Sequence, residues 1–124
     1  MLVGVALVGA GPAAAADLVY VRDPGCSYCR AFDAEIGPVY DKTPEGRQAR
    51  LRPVEMRSHD LDAIRLVQPI RYTPTFVLVA DGAEVGRIEG YPGEEFFWVR
   101  LAKLLETLPP ASLTPASISP ATSQ

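Results

Sequence analysis

The chain contains only two cysteines, Cys26 and Cys29, in the segment PGCSYCR. A structural disulfide, half of a metal site and a reversible dithiol–disulfide switch all use such a pair. A structural zinc ion needs four Cys or His ligands, and the chain adds one histidine, His59. A disulfide between residues this close in sequence constrains little of the unfolded chain. The redox switch is therefore the favoured interpretation.

The spacing of the two thiols suits a helix start. In a C-x-x-C segment that opens a helix, the first thiol lies at the N-terminus and the second lies one turn inside. Free N–H groups and partial positive charge at that end stabilise a thiolate, so the pKa of the first thiol falls below about 8.5. We expect Cys26 to be the exposed nucleophile and Cys29, on the inner face with Phe32, the resolving thiol. Arg22 and Arg30 flank the pair, but exposed arginines are common and we expect no specific role for either.

Apolar periodicity predicts four strands and three helices around this pair. Pro38 should end or kink the first helix, and Pro53 favours an edge position for the second strand. Asp81 and Gly82 form a hairpin turn signal, and residues 41–50 are predicted to be a polar connection. A strand–helix–strand unit makes its strands parallel, so we expect an α/β fold with a mixed four-stranded sheet flanked by helices. The predicted strands span residues 17–22, 51–56, 73–80 and 83–91, and the predicted helices 26–40, 58–68 and 93–108.

Two of the predicted helices have an identifiable inner face. The helix at 58–68 should be capped by Ser58 or Asp60 and should turn its apolar side chains toward the core. The last helix carries a longer apolar stripe, and its aromatic residues are assigned to the core rather than to a site. The inward residues are expected to be Leu61, Ile64 and Val67 on the first of these helices, and Phe96, Phe97, Trp98, Leu101, Leu104, Leu105 and Leu108 on or beside the last.

Both ends of the chain differ from its middle in composition. Residues 1–16 and 109–124 have no ionisable side chain, so all 27 charged residues, 12 basic and 15 acidic, lie in 17–108. An apolar run that ends in Ala14–Ala16 predicts a signal peptide over 1–16, although no basic residue precedes the run. The Pro/Ser/Thr/Ala-rich segment 109–124 is predicted to be a disordered tail. We therefore expect one domain, 17–108, exported to the periplasm of a Gram-negative bacterium.

The net charge of −3 and the lack of a basic stripe indicate no nucleic-acid or membrane-surface partner.

Three segments carry a resemblance to a known family: CSYC after the first strand, TPT at the start of the third, and VGRIEGYPG before the last helix. Together they resemble the thioredoxin superfamily over residues 17–108. The resemblance implies that Pro74 is a cis proline facing the cysteines, and that Thr73 offers its backbone to a bound substrate strand. It also places Gly90 and Tyr91 in a loop that borders the cysteines. Ser27 and Tyr28, between the cysteines, are then expected to contact a partner protein.

The chain departs from the family at one position of the first strand. Thioredoxins carry a buried acidic residue six positions before the first cysteine, and Tyr20 stands there. Glu55 on the second strand is an alternative carboxylate for proton handling, but we expect it to be solvated. His59 lies in a polar segment and is expected to be a surface residue.

Within the superfamily, PGCSYCR on a small exported domain most resembles the periplasmic thioredoxin associated with the sulfur-oxidation (Sox) system. That resemblance implies a thiol–disulfide oxidoreductase that reduces a partner protein's disulfide or persulfide, with the Sox sulfur carrier as the expected partner. Electrons would come from a membrane thiol transporter. We expect a monomer without metal or cofactor.

Two other functions stay open: a disulfide oxidase or isomerase of secreted proteins, and a non-catalytic binding module. A glutaredoxin function is disfavoured because the Gly-Gly-Asp of that family is missing.

Overall fold

Residues 16–108, the part of the chain that the computed structural model describes, form a four-stranded sheet with helices packed against it. The strand order is β2-β1-β3-β4; β1 and β2 are parallel, and the other neighbouring strands are antiparallel. This confirms the predicted mixed sheet. The strands are β1 (Ala16–Arg22), β2 (Ala49–Glu55), β3 (Thr75–Ala80) and β4 (Ala83–Glu89), and the helices are α1 (Ser27–Glu35), α2 (Gly37–Tyr40), α3 (Pro44–Gln48), a 3₁₀ helix (His59–Ala63) and α4 (Glu94–Leu105).

The predicted terminal segments lie almost wholly outside the described residues. The tail at 109–124 is outside them, and so is the predicted signal peptide except for its last residue, Ala16. Ala16 is the first residue of β1 and is buried.

Local sequence explains the strand positions. The central strands β1 and β3 are rich in Val, Leu and aromatic residues and are almost completely buried. Pro53 cannot donate to a ladder, and β2 is an edge strand, as predicted. Asp81 and Gly82 both have positive φ, 54° and 78°, as the tight turn between β3 and β4 requires.

The first helical stretch is interrupted where Pro38 was expected to interrupt it. The α1 helix ends at Glu35, and α2 begins at Gly37 with Pro38 in its first turn. One helix was missed: α3 lies in the predicted polar connection. It forms because the Thr43 hydroxyl accepts from the N–H of Gly46 at 3.0 Å and Pro44 occupies the first helical position.

The helix predicted at 58–68 is wrong in type and length. Ser58 caps it as expected, but a 3₁₀ helix ends at Ala63 and the chain then becomes extended. The cause is the pairing of Arg65 with β4: its N–H bonds to the Gly82 carbonyl at 2.9 Å, and its carbonyl accepts from the Glu84 N–H at 3.0 Å. Ile64 is buried as predicted, whereas Val67 is 76% exposed instead of facing the core.

The two faces of the sheet bury different cores. On one face, Leu18, Tyr20, Phe76 and Leu78 pack with α1 and α4. The opposite face is a valine layer covered by residues 56–70, which in the structure contain no α-helix. Within the described range, no helix is long and apolar enough to cross a membrane. The α1 helix starts beside the carboxyl end of β1, and this places both cysteines at one end of the sheet.

Candidate active site

The cysteine pair lies at the first turn of α1. The turn after β1 is closed by the Cys26 N–H, which donates to the Asp23 carbonyl at 3.1 Å. Cys26 is the N-cap residue of α1, its Sγ accepts from the Cys29 N–H at 3.0 Å, and the two cysteines form a disulfide. Cys29 is completely buried, whereas Cys26 is partly exposed and Ser27 and Tyr28 are exposed. A partner molecule can therefore reach Cys26 but not Cys29.

A cleft whose lining includes Tyr28, from between the two cysteines, gathers most of the predicted substrate-binding residues. The Thr73–Pro74 peptide bond is cis, as the family resemblance implied. Pro74 is buried, and its carbonyl accepts from the N–H of Gly90 at 2.7 Å, so the two loops are joined through their backbones. Of the residues predicted to bind substrate, Ser27 alone is not in the lining. The cleft measures about 300 Å³ and is lined by Tyr28, Thr73, Pro74, Glu89, Gly90, Tyr91 and Pro92.

Tyr91 has two environments. Its ring lies in the core, edge-on to Phe32 with centroids 5.7 Å apart, and is 8% exposed where it lines the cleft. Its hydroxyl donates to Glu35 Oε1 at 2.5 Å, which ties the loop after β4 to the end of α1. Burial, together with this carboxylate, raises the pKa of Tyr91, so the phenol stays protonated.

Tyr20 connects the buried cysteine to a charged cluster. Its hydroxyl lies 3.0 Å from the carbonyl oxygen of Cys29 and 2.7 Å from Asp33 Oδ1. Arg22 donates to Asp33 at 2.9 Å and to Glu55 at 3.2 Å, and its guanidinium lies 5.8 Å from the centre of the Tyr20 ring. Burial first, and the Asp33 carboxylate second, raise the pKa of Tyr20. The residue at the family's acidic position is therefore a neutral hydrogen-bond donor.

Asp33 and the pairing of Arg22 were missed in the sequence. Asp33 follows Cys29 by four residues on α1. This spacing puts both residues on one face of the helix and could have indicated that Asp33 lies near Cys29. Arg22 was given no role but holds two carboxylates. Glu55 is exposed as expected, although it is ion-paired rather than only solvated.

The remaining candidates lie away from this cluster. The His59 side chain is 99% exposed and lies 3.3 Å from Asp62, which confirms a surface histidine. Arg30 is exposed and donates to the Pro24 carbonyl at 3.4 Å. Phe97 is buried as predicted, but Phe96 is 61% exposed because consecutive helical residues point about 100° apart. In residues 16–108, no three His, Cys, Asp or Glu side chains are grouped as metal ligands would be.

Comparison with known proteins gives a consistent set of relatives. Residues 5–105 match the family model described as a thioredoxin-like domain. The periplasmic thioredoxin SoxS from Paracoccus pantotrophus, in its reduced form, is 47% identical; the alignment covers 74% of this chain and 97% of that chain, with a TM-score of 0.71. A search of curated proteins found no match.

Two more distant thioredoxins share the fold. A mutant thioredoxin from Halobacterium salinarum is 20% identical, with 76% of this chain and 78% of that chain covered and a TM-score of 0.54. The Malassezia sympodialis thioredoxin Mala s 13 is 19% identical, with 75% and 77% covered and a TM-score of 0.51. At such identities the likeness concerns the fold alone.

Proposed function

Because the chain belongs to the thioredoxin-like family, we propose that it is a thiol–disulfide oxidoreductase whose reacting groups are Cys26 and Cys29. The observation that carries this proposal is the asymmetry of the pair. Cys26 is partly exposed at the N-terminus of α1, and Cys29, already bonded to it, is completely buried one turn inside. In such a pair, the exposed sulfur attacks a disulfide of the partner protein, and the buried sulfur then breaks the mixed disulfide that forms.

The reaction requires no cofactor. In the reduced protein, the Cys26 thiolate attacks one sulfur of a partner disulfide, and the partner's S–S bond breaks as a mixed disulfide forms. The released partner sulfur takes up a proton. The Cys29 thiol gives its proton to water, the resulting thiolate attacks Cys26 Sγ, and the second partner sulfur leaves as a thiolate that takes up a proton from water. Two electrons pass to the partner, and the Cys26–Cys29 disulfide remains.

The cleft beside Cys26 provides the binding surface for this exchange. We assign the backbone of Thr73 to an extended substrate strand, with Pro74 fixing the loop behind it. Gly90 lacks a side chain, which lets a partner backbone approach closely. Tyr28 and Ser27 are exposed next to Cys26 and are assigned to partner contact. Tyr91 contributes the ring that closes the cleft wall.

The proposed direction is reduction of a partner protein in the periplasm. Support comes from the 47% identity to a protein described as a periplasmic thioredoxin, and from the leader-like composition of residues 1–16. The partner is proposed to be a sulfur-carrier protein of the Sox system, bearing a disulfide or persulfide. A membrane thiol transporter would return electrons to the Cys26–Cys29 disulfide. The mature protein is proposed to be a monomeric domain, 17–108, with a disordered tail at 109–124.

A trapping experiment tests both the function and the partner. A Cys29→Ser variant, expressed with its leader in the native bacterium, cannot resolve the mixed disulfide on Cys26 and should retain its partner. The matched control is Cys26→Ser, which keeps one thiol but buries it. Adducts would be isolated by non-reducing purification and identified by mass spectrometry.

Each trapping outcome has a distinct meaning. One dominant sulfur-carrier adduct on Cys29→Ser, absent from Cys26→Ser, supports a dedicated reductase. A broad set of secreted proteins would instead support a general oxidase or isomerase. An absence of any adduct, with Cys26 also resistant to alkylation, would contradict the oxidoreductase function and favour a binding module.

A further inference from the structure

Residues 65–69, which lead into the loop that holds the cis Thr73–Pro74 bond (the cis-proline loop), run along the free edge of β4. Arg65 pairs with β4 through two backbone hydrogen bonds, to Gly82 and Glu84. This pairing does not continue as a backbone ladder, and Pro69 has no N–H to offer to one. The contacts with β4 nevertheless continue as far as Pro69, four residues before Thr73.

Beyond Arg65, the side chains of Glu84 and Arg87 on β4, rather than its backbone, bind this segment. Glu84 Oε1 accepts from the Val67 N–H at 2.8 Å. Arg87 donates from Nη2 to the Gln68 carbonyl at 2.7 Å and from Nη1 to the Pro69 carbonyl at 3.3 Å. Three consecutive residues of the segment are thus held by one carboxylate and one guanidinium.

The two side chains also bind each other and are well shielded. Arg87 donates to both oxygens of Glu84, from Nε at 2.7 Å and from Nη2 at 2.9 Å. Only 9% of the Arg87 side chain and 3% of the Glu84 side chain are exposed. Such a shielded pair gives little net stability relative to apolar residues of the same size. Replacing the pair with apolar residues should therefore change the free energy of unfolding little, but it would remove the hydrogen bonds that hold residues 67–69.

Arg87 further reaches the wall of the substrate cleft. Its Nη1 lies 3.3 Å from Glu89 Oε2, and Glu89 lines the cleft together with Thr73 and Pro74. The guanidinium therefore makes five hydrogen bonds, which equals its five N–H donors. One planar group therefore joins Gln68 and Pro69, which precede the loop, to Glu84 and to Glu89 in the cleft wall. A lysine has neither the number nor the planar arrangement of donors to do this.

We propose that the Arg87–Glu84 pair positions the cis-proline loop for protein disulfides, and that Arg87 is a positioning residue of the exchange reaction. This inference rests on the proposed oxidoreductase function. It assigns to Arg87 and Glu84 the task of holding the loop that binds the protein substrate. Arg87 and Glu84 are bonded to residues 67–69, which lead into the loop, and to each other, and neither cysteine is among their hydrogen-bond partners. Loss of the pair should therefore impair docking of an extended protein substrate and leave the chemistry of the dithiol intact.

The test compares two disulfides with the same reduced protein. Pre-reduced protein is mixed rapidly with insulin, whose disulfide lies in a peptide, and with 5,5′-dithiobis(2-nitrobenzoate), which is too small to use the loop. The variants are Arg87→Lys and the double variant Arg87→Met/Glu84→Gln, which removes both charges and so leaves no unpaired buried ion. The control is Arg52→Gln on the opposite edge strand, where an arginine lies 3.9 Å from Asp17.

The inference predicts a loss confined to the protein substrate. The second-order rate constant for insulin should fall by up to about 100-fold in the double variant, the scale of a misplaced binding element, and by less in Arg87→Lys. The rate with the small disulfide and the midpoint of equilibration with glutathione should match those of the wild type. Arg52→Gln should match the wild type in all three measurements.

Two results would overturn the inference without touching the proposed function. One is a folded double variant, verified by circular dichroism, with an unchanged insulin rate. The other is an equal fall in both rates, which would make the pair a structural support only. A wild-type protein that reacts with neither disulfide would instead overturn the oxidoreductase function and this inference with it.

Discussion

Tyr20 shows what a single residue can change in this site. It stands where thioredoxins carry a buried acid, and its hydroxyl lies between the Cys29 carbonyl and the Asp33 carboxylate. Because burial raises its pKa, Tyr20 stays neutral and acts as a donor. The carboxylate that Tyr20 contacts comes instead from Asp33 on α1, which is paired with Arg22.

Tyr20 and Asp33 should be energetically coupled. In a double-mutant cycle of Tyr20→Phe and Asp33→Ala, we expect a coupling free energy of about 0.5–2 kcal/mol, because the two side chains share a direct hydrogen bond. The measurement is urea unfolding of the wild type, both single variants and the double variant. Tyr40→Phe is the matched control: its buried hydroxyl bonds to Ala49, so its effect should add to that of Asp33→Ala. Additive effects for Tyr20 as well would contradict the contact.

Three of the five tyrosines should resist ionisation at high pH. Burial is the main cause of a raised pKa at Tyr20, Tyr40 and Tyr91. A raised folded-state pKa means that the stability these phenols contribute is complete below their unfolded value of about 10 and is lost as the pH rises through the folded-state values. The phenolate absorbance of these three side chains should therefore appear together with loss of the circular dichroism signal. Ionisation of all three near the unfolded value, in an intact fold, would refute the assignment.

Among the elements, those with strong local signals could be predicted from the sequence. The four strands, the turn at Asp81–Gly82 and the interruption before Pro38 follow from alternation, turn residues and the missing proline donor. The 3₁₀ helix was overextended because Arg65 is drawn into pairing with β4, a contact distant in sequence. The short α3 was missed because five residues show no periodicity, although Thr43 and Pro44 were visible as start signals.

The candidate site was predictable to a similar degree. The cysteines and Pro74 belong to short motifs, so spacing and family resemblance indicated them. Asp33 and Arg87 have no such motif. Their roles depend on which side chains the fold brings together, and that depends on the packing of α1 on β1 and of the loop on β4.

The α3 helix offers a sharp test of packing. A Cβ added at Gly46 would overlap the backbone carbonyl of Tyr40, so α3 can lie where it does only with glycine there. We expect Gly46→Ala to lower the free energy of unfolding by about 1–3 kcal/mol or more, the usual cost of overpacking. Gly37→Ala is the control, since its Cβ would meet its nearest neighbour at an ordinary 3.9 Å. Equal effects of the two substitutions in thermal unfolding would be inconsistent with this packing.

At the scale of the molecule, the sheet acts as a frame with the dithiol at one end. One face carries the helices that hold Cys29 in the core, and the loops at that end carry Thr73, Pro74 and Gly90. The opposite face needs only a valine layer under residues 56–70. The proposed reaction would make and break one S–S bond at this end of the sheet, so the stability of the whole fold should differ between the oxidised and the reduced protein.

The direction of the reaction can be tested by comparing the stability of the oxidised protein with that of the reduced protein. A reductant holds its own disulfide more tightly when folded than when unfolded, so its oxidised form must be the more stable; each 30 mV of difference is worth about 1.4 kcal/mol. We expect the oxidised protein to unfold at a higher temperature than the reduced protein. Calorimetry of both forms, with the Cys26→Ser/Cys29→Ser variant as a redox-insensitive control, provides the measurement. A more stable reduced form would instead indicate an oxidase.

The most direct test of the central claim is the identity of the attacking sulfur. Reduced wild type, Cys29→Ser and Cys26→Ser would each be mixed with insulin, quenched with acid and analysed by intact mass. We predict a stable mixed disulfide on Cys26 in Cys29→Ser, none in Cys26→Ser, and in the wild type one internal disulfide formed for each insulin disulfide reduced. An adduct that forms equally fast on Cys29, or a wild type that stays reduced, would contradict a dithiol in which an exposed Cys26 attacks and a buried Cys29 resolves.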